Sequence, residues 1–160
     1  MRRSLVIGNW KMNGNRASAE SLAKGIIAGL SADIGDIAVC VPYVYLASVG
    51  DVVKGSRLAL GSQNIADKAS GAYTGEISAT MLKEFNCQYA LVGHSERRSY
   101  YGDTDASVAA RFCQAQEQGI IPVFIITENK FILFIHYNLL RLYFMIFEIN
   151  LKLLNAVSII

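Results

Sequence analysis

The chain is poor in charge and in the residues that cross-link or bind metals. Charged side chains make up 18% of its 160 residues, and the formal net charge is only +2. An excess that small, spread along the chain, excludes the basic footprint of a nucleic-acid binder. The three cysteines, Cys40, Cys87 and Cys113, are far apart, form no C-x-x-C pair and make an odd count. Such spacing argues against a disulfide framework and predicts reduced thiols in a cytoplasmic protein. Nothing resembles a metal-ligand spacing or a glycine-rich dinucleotide loop, so neither metal nor cofactor is implied. The apolar stretch after Met1-Arg2-Arg3 is far too short for a signal peptide, and export by a standard route is not expected.

A second scarcity is local. All 13 glycines lie between Gly8 and Gly119, and none follows. Beyond Asn129 the chain is dominated by Phe, Ile, Leu, Asn, Tyr and Lys, with Ala156 its only alanine. Residues 1–126 and 127–160 are therefore read as separate regions, the second as an apolar tail of helical character.

In the first region short apolar runs alternate with segments of helical period, the pattern of successive βα units around a parallel sheet. Strands are expected at Leu5 to Gly8, Ile37 to Val41, Leu58 to Ser62, Tyr89 to Val92 and from Ile121. Helices are expected after Asn15, with Leu22, Ile26, Ile27 and Leu30 on one face, and around Leu46, Val49, Val52 and Val53. A short third helix is marked by Met81, Leu82 and Phe85. Another helix spans Asp103 to Gln118, with Val108, Ala109, Phe112 and Ala115 on one face and Gly119 beyond its end. Near-continuous apolar strands predict a sheet covered on both sides. The long connection from Asn64 to Glu76 reads as a functional or interface loop.

Two segments can carry chemistry. Gly8-Asn9-Trp10-Lys11-Met12-Asn13-Gly14 follows the first strand, where a lysine and an amide would face the mouth in which such folds bind ligands. The plainer reading is a polar loop with Trp10 packed and Lys11 solvated. Val92-Gly93-His94-Ser95-Glu96-Arg97-Arg98 places one of only two histidines where a strand meets a new helix. Backbone N–H groups at that terminus would disfavour the imidazolium and leave a neutral donor able to polarise a carbonyl. The competing reading is a hydrogen-bonded structural histidine beside a solvated Glu-Arg-Arg face.

Both segments resemble the triosephosphate isomerase family, and Gly71-Ala72-Tyr73-Thr74-Gly75-Glu76 resembles that family's third loop. The resemblance covers about residues 3–124, ending within the fifth strand. It implies an α/β fold, a partial (β/α)₈ TIM barrel of about four βα units plus strand five. It further implies interconversion of dihydroxyacetone phosphate and glyceraldehyde 3-phosphate by proton transfer through an enediol(ate). Asn9 and Lys11 would then bind substrate, and Lys11 and His94 would be catalytic, the cation offsetting enediolate charge and the imidazole acting as the neutral electrophile. Ser95, as a helix cap, and Glu96, as a partner for Lys11 or a nearby amide, would support them. Thr74, flanked by Tyr73 and Glu76, would enter the neighbouring subunit of a homodimer.

A full barrel needs about 250 residues. The family's general base is a glutamate after the sixth strand, and its lid and phosphate loops follow; the resemblance reaches none of them. Phe124-Ile125-Ile126-Thr127-Glu128 replaces the usual cysteine and glycine, and Glu148 sits in no matching context. The tail's A/T-codon composition suggests a frameshift or read-through. The expected product has open edges at strands one and five, is prone to aggregate and is nearly inactive. Phe131 to Ile149 holds twelve Leu, Ile or Phe, yet Arg141 sits near its centre and its longest stretch free of Lys, Arg, Asp and Glu ends at Leu140. A membrane span is therefore not favoured. The alternatives are a non-catalytic remnant that pairs through its third loop, or a membrane-associated fragment held by the tail.

Overall fold

In the computed structural model the described residues are 4–31, 35–125 and 158–159. Five strands run parallel in chain order: β1 (Leu5–Asn9), β2 (Asp36–Val41), β3 (Leu58–Ser62), β4 (Tyr89–Val92) and β5 (Ile121–Phe124). Each is hydrogen-bonded to its predecessor, with Ile7 opposite Ala38, Val39 opposite Leu60, Gly61 opposite Tyr89 and Leu91 opposite Val123. The helices are α1 (Arg16–Gly29), α2 (Leu46–Val53), α3 (Ala79–Glu84), α4 (Ser95–Tyr101) and α5 (Asp105–Glu117), and a 3₁₀ turn at Tyr43–Tyr45 leads into α2.

The strands are apolar on both faces, and two clusters result. One lies between sheet and helices and gathers Val39, Val41, Val49, Leu60, Leu82, Val92, Val108 and Ala115. The other, on the opposite face, holds Ile7, Cys40, Leu91, Val123 and Ile125, all nearly inaccessible. Coverage on both sides agrees with the near-continuous apolar strands. Where β2 and β3 approach closely, Gly61 leaves no room for a side chain: a Cβ there would lie 2.6 Å from Cys40 Sγ.

Helix boundaries follow local chemistry. Asn15 caps α1, its side chain accepting from Ser18 N–H while Ser18 Oγ accepts from Asn15 N–H, and Thr104 and Ser107 form the same reciprocal pair at α5. Ser78 caps α3. The buried residues of α1 are Ala19 and Ala23, with Leu22, Ile26, Ile27 and Leu30 half-buried against the core.

Several sequence expectations are corrected. The short third helix marked by Met81, Leu82 and Phe85 is present as α3; its buried residues are Ala79 and Leu82, while Met81 and Phe85 are exposed. In α5 the buried stripe is Val108, Arg111 and Ala115 with Phe112 half-buried, and Ala109 faces solvent. The new helix expected after Val92 is present as α4, which stops at Gly102 before α5 begins. Ser158–Ile159 form a two-residue strand, β6, antiparallel to β1 with Ile159 opposite Gly8 and Ser158 opposite Asn9. At those two residues the tail is strand rather than helix, and the outer edge of β1 is paired rather than open there. The rest of the expected tail helix, and the possible span within Phe131 to Ile149, lie outside the described residues. Among the described residues no helix is long and apolar enough to cross a membrane.

Candidate active site

The C-terminal ends of β1 and β4 gather Asn9, Lys11, His94 and Glu96, residues singled out by sequence, and the end of β3 adds Gln63. At the end of β1, Asn9 is buried and its Oδ1 accepts the backbone N–H of Lys11 at 3.0 Å. Trp10 is buried behind it, and its backbone N–H donates to Cys40 O. Lys11 takes a left-handed backbone with φ of 51°, uncommon for a residue with a side chain. Three contacts hold it: the Asn9 bond, a bond from Gln63 Nε2 to its carbonyl at 2.9 Å, and an ion pair from its Nζ to Glu96 Oε1 at 2.7 Å. Gln63 Nε2 also reaches Cys40 O at 3.0 Å, so one amide group ties the loop after β1 and the C-terminal part of β2 to the end of β3.

The turn from β4 into α4 is made by Gly93, whose φ is 76° and where a Cβ would press on Val108 and Phe124 at 3.0 and 3.1 Å. Only glycine satisfies both the dihedral and the space. The next residue, His94, is itself the helix cap: its Nδ1 accepts the backbone N–H of Glu96 at 3.2 Å. Ser95, expected as the cap, is instead the first helical residue. A ring whose Nδ1 accepts must carry its proton on Nε2 when neutral. The His94 pKa is lowered from 6.5, first by burial and further by the Lys11 ammonium, against the opposing pull of the Glu96 carboxylate. Glu96 Oε2 lies 3.6 Å from Nδ1, so this carboxylate stands between cation and imidazole. The arrangement presents a neutral N–H donor and a fixed ammonium on one wall.

The neighbouring arginines are not a solvated face. Arg97 pairs with Asp103 at 3.0 Å and lies over the Tyr101 ring, while Arg98 donates to Gly93 O and pairs with Asp105. In the third loop, Tyr73 and Thr74 are exposed, whereas Glu76 turns toward Arg111 at 3.5 Å. Arg111, not anticipated from sequence, is buried on α5 and joins that loop to the connection between α4 and α5. It donates to Ile65 O at 2.5 Å and Asn64 Oδ1 at 3.3 Å, and its Nη2 lies 3.6 Å from Asp103. Gln63 also escaped notice, because a single polar residue after a strand carries no periodic signal.

Among the described residues no group of three or more His, Cys, Asp or Glu is placed to hold a metal ion.

A parallel half-barrel with its polar side chains converging at the C-terminal strand ends defines the chain as part of an enzyme-type β/α barrel. The chain belongs to the triosephosphate isomerase family, whose model matches residues 4–131. That match extends past the resemblance seen in the motifs, into the first residues of the tail. The triosephosphate isomerase of Methylococcus capsulatus is 49% identical over 129 residues, 81% of this chain and 52% of that protein. That of Cupriavidus taiwanensis is 50% identical over the same length and coverage. The crystal structure of triosephosphate isomerase from Bartonella henselae superposes with a TM-score of 0.71 at 36% identity, covering 79% of this chain and 53% of that one. The chain thus spans about half the length of the curated relatives it matches.

Proposed function

We propose that residues 4–125 furnish the electrophilic, substrate-binding half of a triosephosphate isomerase site. The observation that carries this reading is the Lys11–Glu96–His94 group of contacts, with Lys11 Nζ fixed at 2.7 Å and Nδ1 committed as an acceptor. His94 Nε2–H would donate to the substrate carbonyl and polarise it, so that negative charge can develop on oxygen as the adjacent carbon loses its proton. A neutral histidine in this role is the long-established arrangement of the family rather than a new deduction. Lys11 would offset the charge of the enediolate and phosphate, and Asn9 would bind substrate beside it. Ser95 and Glu96 would act as supports, Glu96 by holding the ammonium.

Proton abstraction is assigned by family resemblance to a glutamate after a sixth parallel strand, and the five parallel strands among the described residues end before that position. Glu96 cannot substitute, because it sits on the Nδ1 side of the imidazole and is paired with Lys11. A positioned general base contributes about 10² to 10⁴-fold. Turnover by the 160-residue chain should therefore fall at least about 100-fold below that of an intact relative. An isomerase assay on the purified chain, with NMR of His94 during titration with dihydroxyacetone phosphate, tests both parts. Activity within tenfold of the intact enzyme overturns the half-site reading; a His94 resonance that ignores millimolar substrate overturns the site itself.

A second reading is favoured by the exposed apolar side chains of Met12, Val44 and Tyr73, each on a loop following one of the first three strands. With Thr74 they would form a dimer-pairing surface. Native mass measurement of the chain, alone and with a full-length relative, tests whether it forms homo- or heterodimers.

A further inference from the structure

Lys11 is held in a conformation it would not choose. Its φ of 51° is matched at the other end of the same four-residue segment by Gly14, with φ of 93°. Between them Met12 is 94% exposed, and Asn13 Nδ2 donates to Trp10 O at 3.1 Å, so the middle is tied back to the β1 side. The segment departs from β1 at Asn9 and must re-enter the fold at Asn15, the cap of α1. On the β1 side Lys11 is tied by Asn9 and Gln63. On the far side a different element supplies the tie: Tyr45 Oη donates to Gly14 O at 2.9 Å, across 31 residues of sequence. Tyr45 is well placed to act as a fixed post. It closes the 3₁₀ turn after β2, its own N–H donates to Pro42 O at 2.9 Å, and its carbonyl accepts Ser48 Oγ. Its ring is thus rooted in the element that begins α2, outside the loop it grips.

We infer that Tyr45 is a positioning residue for Lys11: its hydroxyl, through the carbonyl of Gly14, closes the segment 11–14 so that the ammonium stays on Glu96 beside His94. This deepens the reading of Lys11 as the substrate-facing cation and rests on it, but the linkage itself can be measured without substrate. A lysine backbone in the left-handed region is sterically disfavoured, so a segment that loses its tie on the far side can relax away from it.

The experiment is a His94 titration by NMR on the 160-residue chain, comparing wild type with Tyr45→Phe, which removes one oxygen and keeps the ring. Burial and Lys11 lower the His94 pKa, and Glu96 raises it. When Lys11 swings away, the lowering influence weakens and the freed carboxylate acts more strongly, so the midpoint should move up. Lys11→Met should also move it up, and adding Tyr45→Phe to that variant should move it no further. Ser56→Ala serves as the matched loss of a hydroxyl elsewhere, since among the described residues Ser56 Oγ bonds within its own turn region, to Val53 O and from Leu58 N–H. It should leave the titration unchanged. Where dihydroxyacetone phosphate binds wild type, Tyr45→Phe should weaken it by about two- to tenfold, the worth of one hydrogen bond. An unchanged midpoint in Tyr45→Phe, an equal shift in the Lys11→Met background, or an equal shift in Ser56→Ala would each overturn the inference. Absence of substrate binding to wild type, with the coupled shifts intact, would overturn the isomerase reading and leave the Tyr45–Lys11 linkage standing.

Discussion

Replacing Arg111 by methionine keeps the apolar stem of the side chain and removes the guanidinium from a buried junction. Its Nη1 serves Ile65 O and Asn64 Oδ1, both in the buried base of the third loop, and its Nη2 faces Asp103, whose side chain is only 4% exposed. Two buried acceptors lose their donor, at about 1 to 3 kcal/mol each. Asp103 does not become an orphaned charge, because Arg97 still pairs with it at 3.0 Å. Methionine also removes the buried Arg111 Nε, which has no hydrogen-bond partner among the described residues, and this offsets about 1 kcal/mol. The net loss should be about 3 kcal/mol, at the lower end of what breaking a buried charged network costs. With a urea slope of about 2 kcal/mol per molar, the unfolding midpoint should fall by about 1.5 M. Glu76→Gln is the internal control. That carboxylate is 41% exposed and 3.5 Å from Arg111, so its loss should cost under about 1 kcal/mol. A loss below about 1 kcal/mol for Arg111→Met, or a larger one for Glu76→Gln, would refute the assignment of Arg111 as the junction of loop and helices.

Two further outcomes are expected. Cys40 and Cys87 are buried, and burial raises both thiols, that of Cys87 to about 12, whereas Cys113 is exposed. A thiol reagent at neutral pH should therefore titrate one cysteine rapidly in the native chain and all three in denaturant; two fast thiols would contradict the packing of β2 or of the start of β4. His94 titrates lower in the folded chain than its reference of 6.5, so below that pH the unfolded state binds more protons. Stability should rise with pH through the window between the folded value and 6.5, and be indifferent to this group above it. His94→Asn, which can still cap α4, should flatten that part of the urea-midpoint profile, and superimposable profiles would refute the shift.

The five parallel strands and the position of His94 were legible because apolar runs of strand length, bounded by Pro42, Gly93 and Gly119, leave few alternatives. Ser95 was the natural choice of cap by propensity. The structure prefers His94 because the turn at Gly93 leaves that residue extended, with its own ring nitrogen in reach of Glu96 N–H. Arg111 illustrates a different failure. Positions 108, 111, 112 and 115 share one helical face, so the period itself pointed to the arginine, but a charge within an apolar stripe is discounted until its partners Asn64, Glu76 and Asp103 are seen. Asn64 and Glu76 come from the distant third loop, as Gln63 and Tyr45 come from distant turns to surround Lys11, and local sequence holds no record of them.

The order of strands in the sheet has a consequence for how the site comes into being. Because β1 to β5 lie side by side in the order of synthesis, each can dock on a template already made, and the sheet can grow vectorially as the chain emerges. The Lys11 pair obeys a different clock. Its partner Glu96 lies 85 residues further along, beyond β4, so the ammonium placed by the first strand waits, unmatched, until the fourth has been laid down. The chemical wall is completed late, by contacts that span the growing sheet rather than by any one βα unit.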